Sequence, residues 1–435
     1  MTVHSCIQRK KMSETNRSTV APRYRLDVKL GEGGFGQIHL AWDNVRQRKL
    51  AMKLERKKGK SSFLSSSSSD NFASVSRANK GANITQLEHE YNIYKRLGKI
   101  DCIPKVYVLD RKSDSRYIFM TMDLLGKNLE ELLELCGRRF RSKTIYQLGF
   151  NLLHTLEDIH KKGVIHKDIK PENVMISTQY KNKLLFVDFG LASIYKESVN
   201  TSDDNSDEDN NNKVDIEPKH IPWNQRNDPS LEGTIRYASV NAHFGLVQSR
   251  RDDLESFIYM MVYLSKGSLP WQGLTGKDRH LLIGKIKAET GVEELCDGMH
   301  PNWTTCFHYI RDLRFDQDPD YNYLRELLSE AANEKGYTLY KTTTDAKSLT
   351  RSDDNVILYD WEPLLPKAVT KNQSSSKLPA QQETKETKQK QKQKSSIEND
   401  QDAWSKKTIV VNMKPKKSVA NLDLMMDDKH KHNPW

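Results

Sequence analysis

The order of periodicities along this chain predicts an α+β fold in two parts: a small antiparallel sheet with one helix, then a larger, mainly helical region. Three observations carry that expectation. Apolar runs at 24–29, 38–42, 50–54, 106–109 and 117–122 have the length and composition of strands. One helical stripe, Ile84, Leu87, Tyr91, Tyr94 and Leu97, interrupts them. From Ile145, Leu148, Leu152, Leu156 and Ile159 onward the spacing is helical, and after Arg251 it stays so to Lys335.

The remaining segments differ in composition. A polar leader over 1–22, ending in Ala21-Pro22, precedes the first strand. Residues 57–82 contain an unbroken serine run at 65–69. Residues 200–213 hold Asp203, Asp204, Asp207, Glu208 and Asp209 among asparagines, and 341–355 is polar again before an apolar patch at 357–361. Past residue 362 the chain is rich in Gln, Lys and Ser. Such stretches bury too little apolar surface to offset their chain entropy. They are expected as a disordered leader, three insertions and a disordered basic tail at 363–435, around a folded domain at 23–362.

The formal net charge of +11 suits acidic partners such as phosphopeptides or tubulin-like surfaces, and suits a solvated basic surface equally well. Nucleic acid is not indicated. Cys6, Cys102, Cys136, Cys296 and Cys306 are scattered with no C-x-x-C pair, which argues against a zinc site or a disulfide framework. No apolar signal region and no run of about 18 apolar residues occurs, so no membrane span is expected. Reduced thiols fit a cytoplasmic or nuclear protein.

Two groups of residues carry chemistry. The first is Gly31-Glu32-Gly33-Gly34-Phe35-Gly36, with Lys53 on the strand after next. Dinucleotide-binding folds share the G-x-G-x-x-G string, but there a helix follows, whereas here the strand at 38–42 follows. A strand-turn-strand flap lets backbone amides cover phosphate oxygens; an ordinary glycine-rich hairpin is the plain alternative. Lys53 lies at the right distance to pair those phosphates, and it needs a carboxylate from the next helix, where Glu88 and Glu90 are candidates.

The second group is His166-Lys167-Asp168-Ile169-Lys170-Pro171-Glu172-Asn173 with Asp188-Phe189-Gly190. Asp168 is placed to orient an attacking hydroxyl. Lys170 is placed to neutralise charge on a migrating phosphoryl group, and Asn173 and Asp188 offer hard oxygen ligands to magnesium. A lone Asp or Asn is usually a turn residue; four in order, after strand-like 184–187, point to phosphoryl transfer.

On these residues the chain resembles the protein-kinase superfamily. Gly233-Thr234-Ile235-Arg236-Tyr237-Ala238-Ser239-Val240-Asn241-Ala242-His243 is similar to the signature of casein kinase 1 and the tau-tubulin kinases, which replaces the usual Ala-Pro-Glu. Gln248-Ser249-Arg250-Arg251-Asp252-Asp253, Gly267-Ser268-Leu269-Pro270-Trp271-Gln272-Gly273 and His220-Ile221-Pro222 extend the likeness, as do Leu313-Arg314-Phe315 and Pro319-Asp320-Tyr321. Ser-Val-Asn-Ala-His leans towards the tau-tubulin branch; His-Ile-Pro and Gln-Ser-Arg-Arg lean towards casein kinase 1 proper.

The resemblance implies a two-lobed protein-kinase fold with ATP and Mg2+ in the cleft. It selects Glu90 as the partner of Lys53 and leaves Glu88 as a solvated helix residue. It places nucleotide contacts at Gly31, Gly33, Gly34, Phe35, Gly36, Ile38, Ala51 and Lys53. Met122 would gate the back of the pocket, and Asp123 to Leu125 would form the hinge. Asp253 would brace the catalytic loop, and Lys170 implies serine/threonine acceptors. Protein substrates would be acidic or already phosphorylated, bound by Arg236 and by Lys277 or Arg279, and the enzyme would act as a monomer. Lys167 stands where the family has arginine; it keeps the charge, loses the bidentate fork, and is grouped with the substrate-anion residues. The acidic block within 200–213 is either a solvated insert or a segment folding back on Lys167 and Arg236. A pseudokinase scaffold is the second functional reading, and such proteins usually lose Lys53, Asp168 or Asp188, all present here.

Overall fold

The structure, a computed structural model, describes residues 19–33, 36–57, 84–197, 219–222, 231–276, 278–341 and 358–366. The chain divides into units 1–368 and 369–435, and every described residue belongs to the first. The serine-rich and acidic insertions, most of the third insertion and the basic tail from 367 lie outside the described residues. So do Gly34, Phe35 and Lys277.

The small lobe is one antiparallel sheet in the order β1-β2-β3-β4-β6-β5. Its strands are β1 (Thr19–Ala21), β2 (Tyr24–Gly33), β3 (Gly36–Asp43), β4 (Arg48–Arg56), β5 (Val106–Asp110) and β6 (Tyr117–Met122). The leader therefore ends sooner than composition suggests, because Thr19 pairs with Arg25 and Ala21 with Tyr24. Alternation sends Tyr24, Leu26, Ala41, Leu50, Met52, Leu54 and Phe119 into one apolar cluster. Gly36 closes the β2–β3 turn at φ +129°, where a Cβ would stand 2.1 Å from the Leu54 carbonyl oxygen. Only glycine fits there.

Helix α1 (Gln86–Leu97) begins at a capping box: the Glu88 amide donates to Thr85 Oγ1 and Glu88 Oε2 accepts from the Thr85 amide. Glu88 is thus no solvated helix residue. It is buried and also pairs with Arg111. Composition could not separate it from Glu90, and both are buried, on different sides of the helix.

Strand β7 (Leu125–Asn128) and helix α2 (Leu129–Leu135) lead out of the sheet. Neither is apparent from periodicity, being short, but Asn128 and Glu131 form a second capping box that the Asn-x-x-Glu spacing encodes. The large lobe is then built on α3 (Ser142–Lys161). After it come β8 (Val164–Ile165), β9 (Val174–Ser177), β10 (Leu184–Phe186), β11 (Ser193–Ile194), β12 (Lys196–Glu197) and β13 (Lys219–His220). Helices α4 (Val240–His243), α5 (Arg250–Lys266), α6 (Arg279–Glu289), α7 (Val292–Cys296), α8 (Pro301–Asp312) and α9 (Tyr321–Glu334) complete it. Strand β9 lies between β10 and β7, and β8 pairs with β11. These short ladders fix the loop after β8 and the loop after β10 side by side.

The core of this lobe is α5, buried from Leu254 to Leu264, against Leu148, Leu152, Trp303 and Leu328. The patch at 357–361 closes it. Trp361 stacks on Tyr359 at 4.4 Å, and Asp360 caps α3 by accepting from the Arg141 amide at 2.7 Å. Lys181 Nζ then holds the Glu362 and Leu365 carbonyls, so ordered chain runs past the expected boundary at 362 to 366. Among the described residues no helix is long and apolar enough to cross a membrane.

Asp43 ends β3 in a bidentate pair with Arg23 (2.9 and 2.7 Å) and accepts the Val45 and Arg46 amides. The Arg23 guanidinium outweighs burial and holds the Asp43 carboxyl down from 3.8 to about 2. A depressed carboxyl stabilises the fold above its unfolded pKa and loses that stabilisation as pH falls through the folded value. Asp43→Asn should cost about 1 kcal/mol at pH 7, a figure reduced because Arg23 is a third exposed, and the gap to wild type should close between about pH 4 and 2 in denaturant titrations.

Candidate active site

The loop after β8 is shaped by one buried carboxylate. Asp253, on the first turn of α5, accepts the His166 amide on Oδ2 and the Lys167 amide on Oδ1, each at 2.8 Å. His160 Nε2 donates a third bond to Oδ2 at 2.8 Å, and His160 Nδ1 meets the Tyr321 hydroxyl. Burial alone would raise the Asp253 carboxyl; the His160 hydrogen bond and the His166 amide hold it below its ordinary value. Lys167 takes a left-handed φ of 65°, uncommon for a side-chain-bearing residue, and Asp253 stabilises that turn.

Asp168 follows at once. Its Oδ2 accepts from Lys170 Nζ (2.6 Å) and Asn173 Nδ2 (3.1 Å). Its Oδ1 accepts from the Thr234 amide (2.9 Å) and Thr234 Oγ1 (2.7 Å). Lys170 Nζ also donates to Thr234 Oγ1 at 3.0 Å. Thr234 sits inside the string that marks the family resemblance, yet only the structure shows its hydroxyl on Asp168.

On the other wall, Lys53 Nζ bridges Glu90 Oε2 (2.6 Å) and Asp188 Oδ1 (2.9 Å). Burial pulls the Lys53 ammonium down, but the two carboxylates outweigh it and raise its pKa. Burial also pushes the Glu90 carboxyl up to about 7, against the Lys53 charge. Asp188 is held below its ordinary value by Lys53 in spite of burial. Asp188 too is left-handed, φ 65°. Its amide donates to Tyr94 Oη, and Phe189 fills the space between Tyr94 (5.0 Å) and His166 (4.7 Å). Gln86 and His89 donate to the Gly190 and Ala192 carbonyls and tie α1 to this loop.

Lys53, Glu90, Asp188, Asp168, Lys170 and Asn173 therefore converge. With its amide nitrogen committed to Asp168, Asn173 presents its carbonyl oxygen, and Asp188 keeps Oδ2 beyond the oxygen that Lys53 holds. Two oxygen donors suit a hard cation that takes its other ligands from phosphate and water. Above them Gly31 pairs with Ile38 and Gly33 with Gly36, and Ile38 pairs in turn with Lys53. Ala51 pairs with Met122. Asp123 turns its carboxylate to Tyr107 and to the Lys105 amide, and Leu125 pairs with Ser177.

Of the residues grouped for substrate anions, Arg236 and Arg279 line one cavity, Lys277 lies outside the described residues, and Lys167 engages a carboxylate of the chain. Lys167 Nζ lies 3.2 Å from Glu232 Oε2. Arg236 stacks across Tyr237 and Tyr263 at the edge of a cavity of about 160 Å³, lined also by Trp271, Gly273, Arg279 and Ile283.

Residues 24–209 match the family of the protein kinase domain. Over those residues the chain is similar to a protein kinase domain. Its antiparallel small lobe and helical large lobe are the two-lobed kinase fold that the resemblance implies, on the α+β order that the periodicities predict. A kinase domain implies ATP, usually with Mg2+, and protein substrates.

Removing the Asp253 carboxylate would strand two buried amides and the His160 ring. Asp253→Ala should lower the unfolding free energy of the kinase domain by about 3 kcal/mol in chemical denaturation.

Proposed function

We propose that this protein is an active serine/threonine protein kinase of the casein kinase 1 and tau-tubulin kinase branch, moving the γ-phosphoryl group of ATP to protein hydroxyls. The observation that carries the reading is Lys53 bridging Glu90 and Asp188 opposite an Asp168 already engaged by Lys170 and Thr234. A domain that only binds nucleotide has no need of that second wall.

In this reading Lys53 orients the ATP phosphates and Glu90 orients Lys53. Asn173 and Asp188 would hold magnesium, which would supply shielding of phosphate charge. Asp168 fixes the acceptor hydroxyl and takes its proton as the new P–O bond forms and the bond to the β-phosphate breaks, releasing ADP. Lys170, held between Asp168 and Thr234, compensates charge on the migrating group. The string 233–243 supports the branch, and Lys170 with Thr234 supports serine and threonine as acceptors.

Acidic or phosphorylated substrates follow from Arg236 and Arg279 around one cavity beside Thr234. Guanidinium pairs suit phosphate. We take the enzyme to act as a monomer in the cytoplasm or nucleus.

Transfer from labelled ATP to casein and to a pre-phosphorylated peptide tests the reading. Lys53→Ala and Asp188→Ala should each lower transfer by about 100-fold or more. Transfer persisting in both variants would refute the site, and thermal stabilisation by ATP without any transfer would favour the pseudokinase.

Arg236→Ala should raise KM for the phosphorylated peptide about tenfold and change kcat on an unphosphorylated one by less than about twofold. Steady-state kinetics on the two peptides checks this.

A further inference from the structure

Lys167 is the residue in the catalytic loop whose task the proposed reaction leaves open. Its ammonium is not directed to bulk water: only 14% of the side chain is exposed, and Glu232, 12% exposed, receives it. The two residues belong to facing segments in register. Lys167 meets Glu232, and the next residue of the loop, Asp168, meets Thr234 through the threonine amide and hydroxyl. Between them Gly233 takes φ +97°, and a Cβ there would stand 2.6 Å from the Lys167 carbonyl oxygen. The segments are therefore in backbone contact, and side chains close the contact at both ends.

A cation half-sequestered beside a catalytic carboxylate demands an anion, because leaving it unpaired costs more than the pair gains in water. A phosphate on this segment is one way to supply it; a carboxylate from the chain itself is another. A single ammonium suits a single carboxylate oxygen, whereas the planar arginine fork would ask for two.

We propose that Glu232 is a positioning residue: a built-in anion that engages Lys167 and so holds Thr234 on Asp168 without any phosphate on the segment. The proposal rests on the kinase reading for its effect on rate, not for the contact itself. It removes Lys167 from the substrate-anion residues, because its anion comes from within the chain.

The experiment compares the full chain, phosphatase-treated and verified free of phosphate by mass spectrometry, with Glu232→Gln, Lys167→Met, the double neutral variant and the charge-swapped Lys167→Glu/Glu232→Lys. Two readouts are taken. Hydrogen exchange reports the Thr234 amide directly, whether or not the protein is catalytic. Phosphate transfer reports the consequence. Each single neutral variant should speed Thr234 exchange and lower kcat about tenfold, with KM for ATP within about twofold of wild type. The double neutral variant should lose less than the sum of the two single losses, since both remove the same contact. The swap should recover most of the exchange protection and of kcat.

Unchanged Thr234 exchange in Glu232→Gln would overturn the proposal. So would additive losses in the double neutral variant. A wild type that protects Thr234 through Glu232 but transfers no phosphate would leave the contact standing and overturn the proposed function.

Discussion

The fold depends most on a carboxylate that never meets substrate. Asp253 is fully buried at the start of the most buried helix, and its two oxygens accept the amides of His166 and Lys167. Those bonds turn the loop after β8 so that Asp168 faces the cleft. An ionised group at that depth is stable only because each oxygen is satisfied by a protein donor, with His160 completing the set. Because α5 is also the centre of the large lobe's core, the position of Asp168 is tied to the packing of the whole lobe rather than to its own loop.

The opposite wall follows a different electrostatic rule. One ammonium, Lys53, faces two carboxylates, Glu90 and Asp188. Burial pushes the Glu90 carboxyl up to about 7, while Lys53 keeps Asp188 below its ordinary value. With the Glu90 carboxyl raised and Asp188 held ionised beside one ammonium, the cluster lies near charge balance, and Asp188 and Asn173 offer oxygen donors that suit a hard cation.

Much of this was legible in the residues. The strands of the small lobe, the helix carrying Glu90, the long α3 and the two chemical loops each have a local signature, because glycine turns, two-residue alternation and Asp/Asn spacing express backbone geometry directly. The parts that were not legible are set by tertiary contacts. Glu88 and Glu90 lie two residues apart on a helix, and only packing shows that one caps α1 and binds Arg111 while the other reaches Lys53. Thr234 reaches Asp168 across 66 residues, and Glu232 reaches Lys167 across 65. No periodicity encodes such distances. Strand β7 and helix α2 were too short for a periodic signal, although the Asn128 and Glu131 box was present in the sequence.

The same long-range logic governs the turn that carries Arg236. Lys287, buried, donates to the carbonyls of Ile235 (2.9 Å) and Ala238 (2.6 Å). Its third contact is His243 Nε2 at 3.2 Å; His243 Nδ1 meets the His280 carbonyl, which can only accept, so the ring proton is on Nδ1 and Nε2 must accept from Lys287. Burial pulls the Lys287 pKa well below its ordinary value, and its nitrogen is held by these three groups. Trp271 Nε1 takes the Arg236 carbonyl itself at 2.8 Å. Backbone groups on both sides of Arg236 are therefore held from the helical lobe, and its guanidinium lies across Tyr237 and Tyr263. Little conformational freedom is left to this turn, so an anion of the kind proposed above would meet a guanidinium already in place at the 160 Å³ cavity. The position of Arg236 is thus set by a backbone immobilised from a distance, and the buried Lys287 supports the arginine as directly as the rings it lies across.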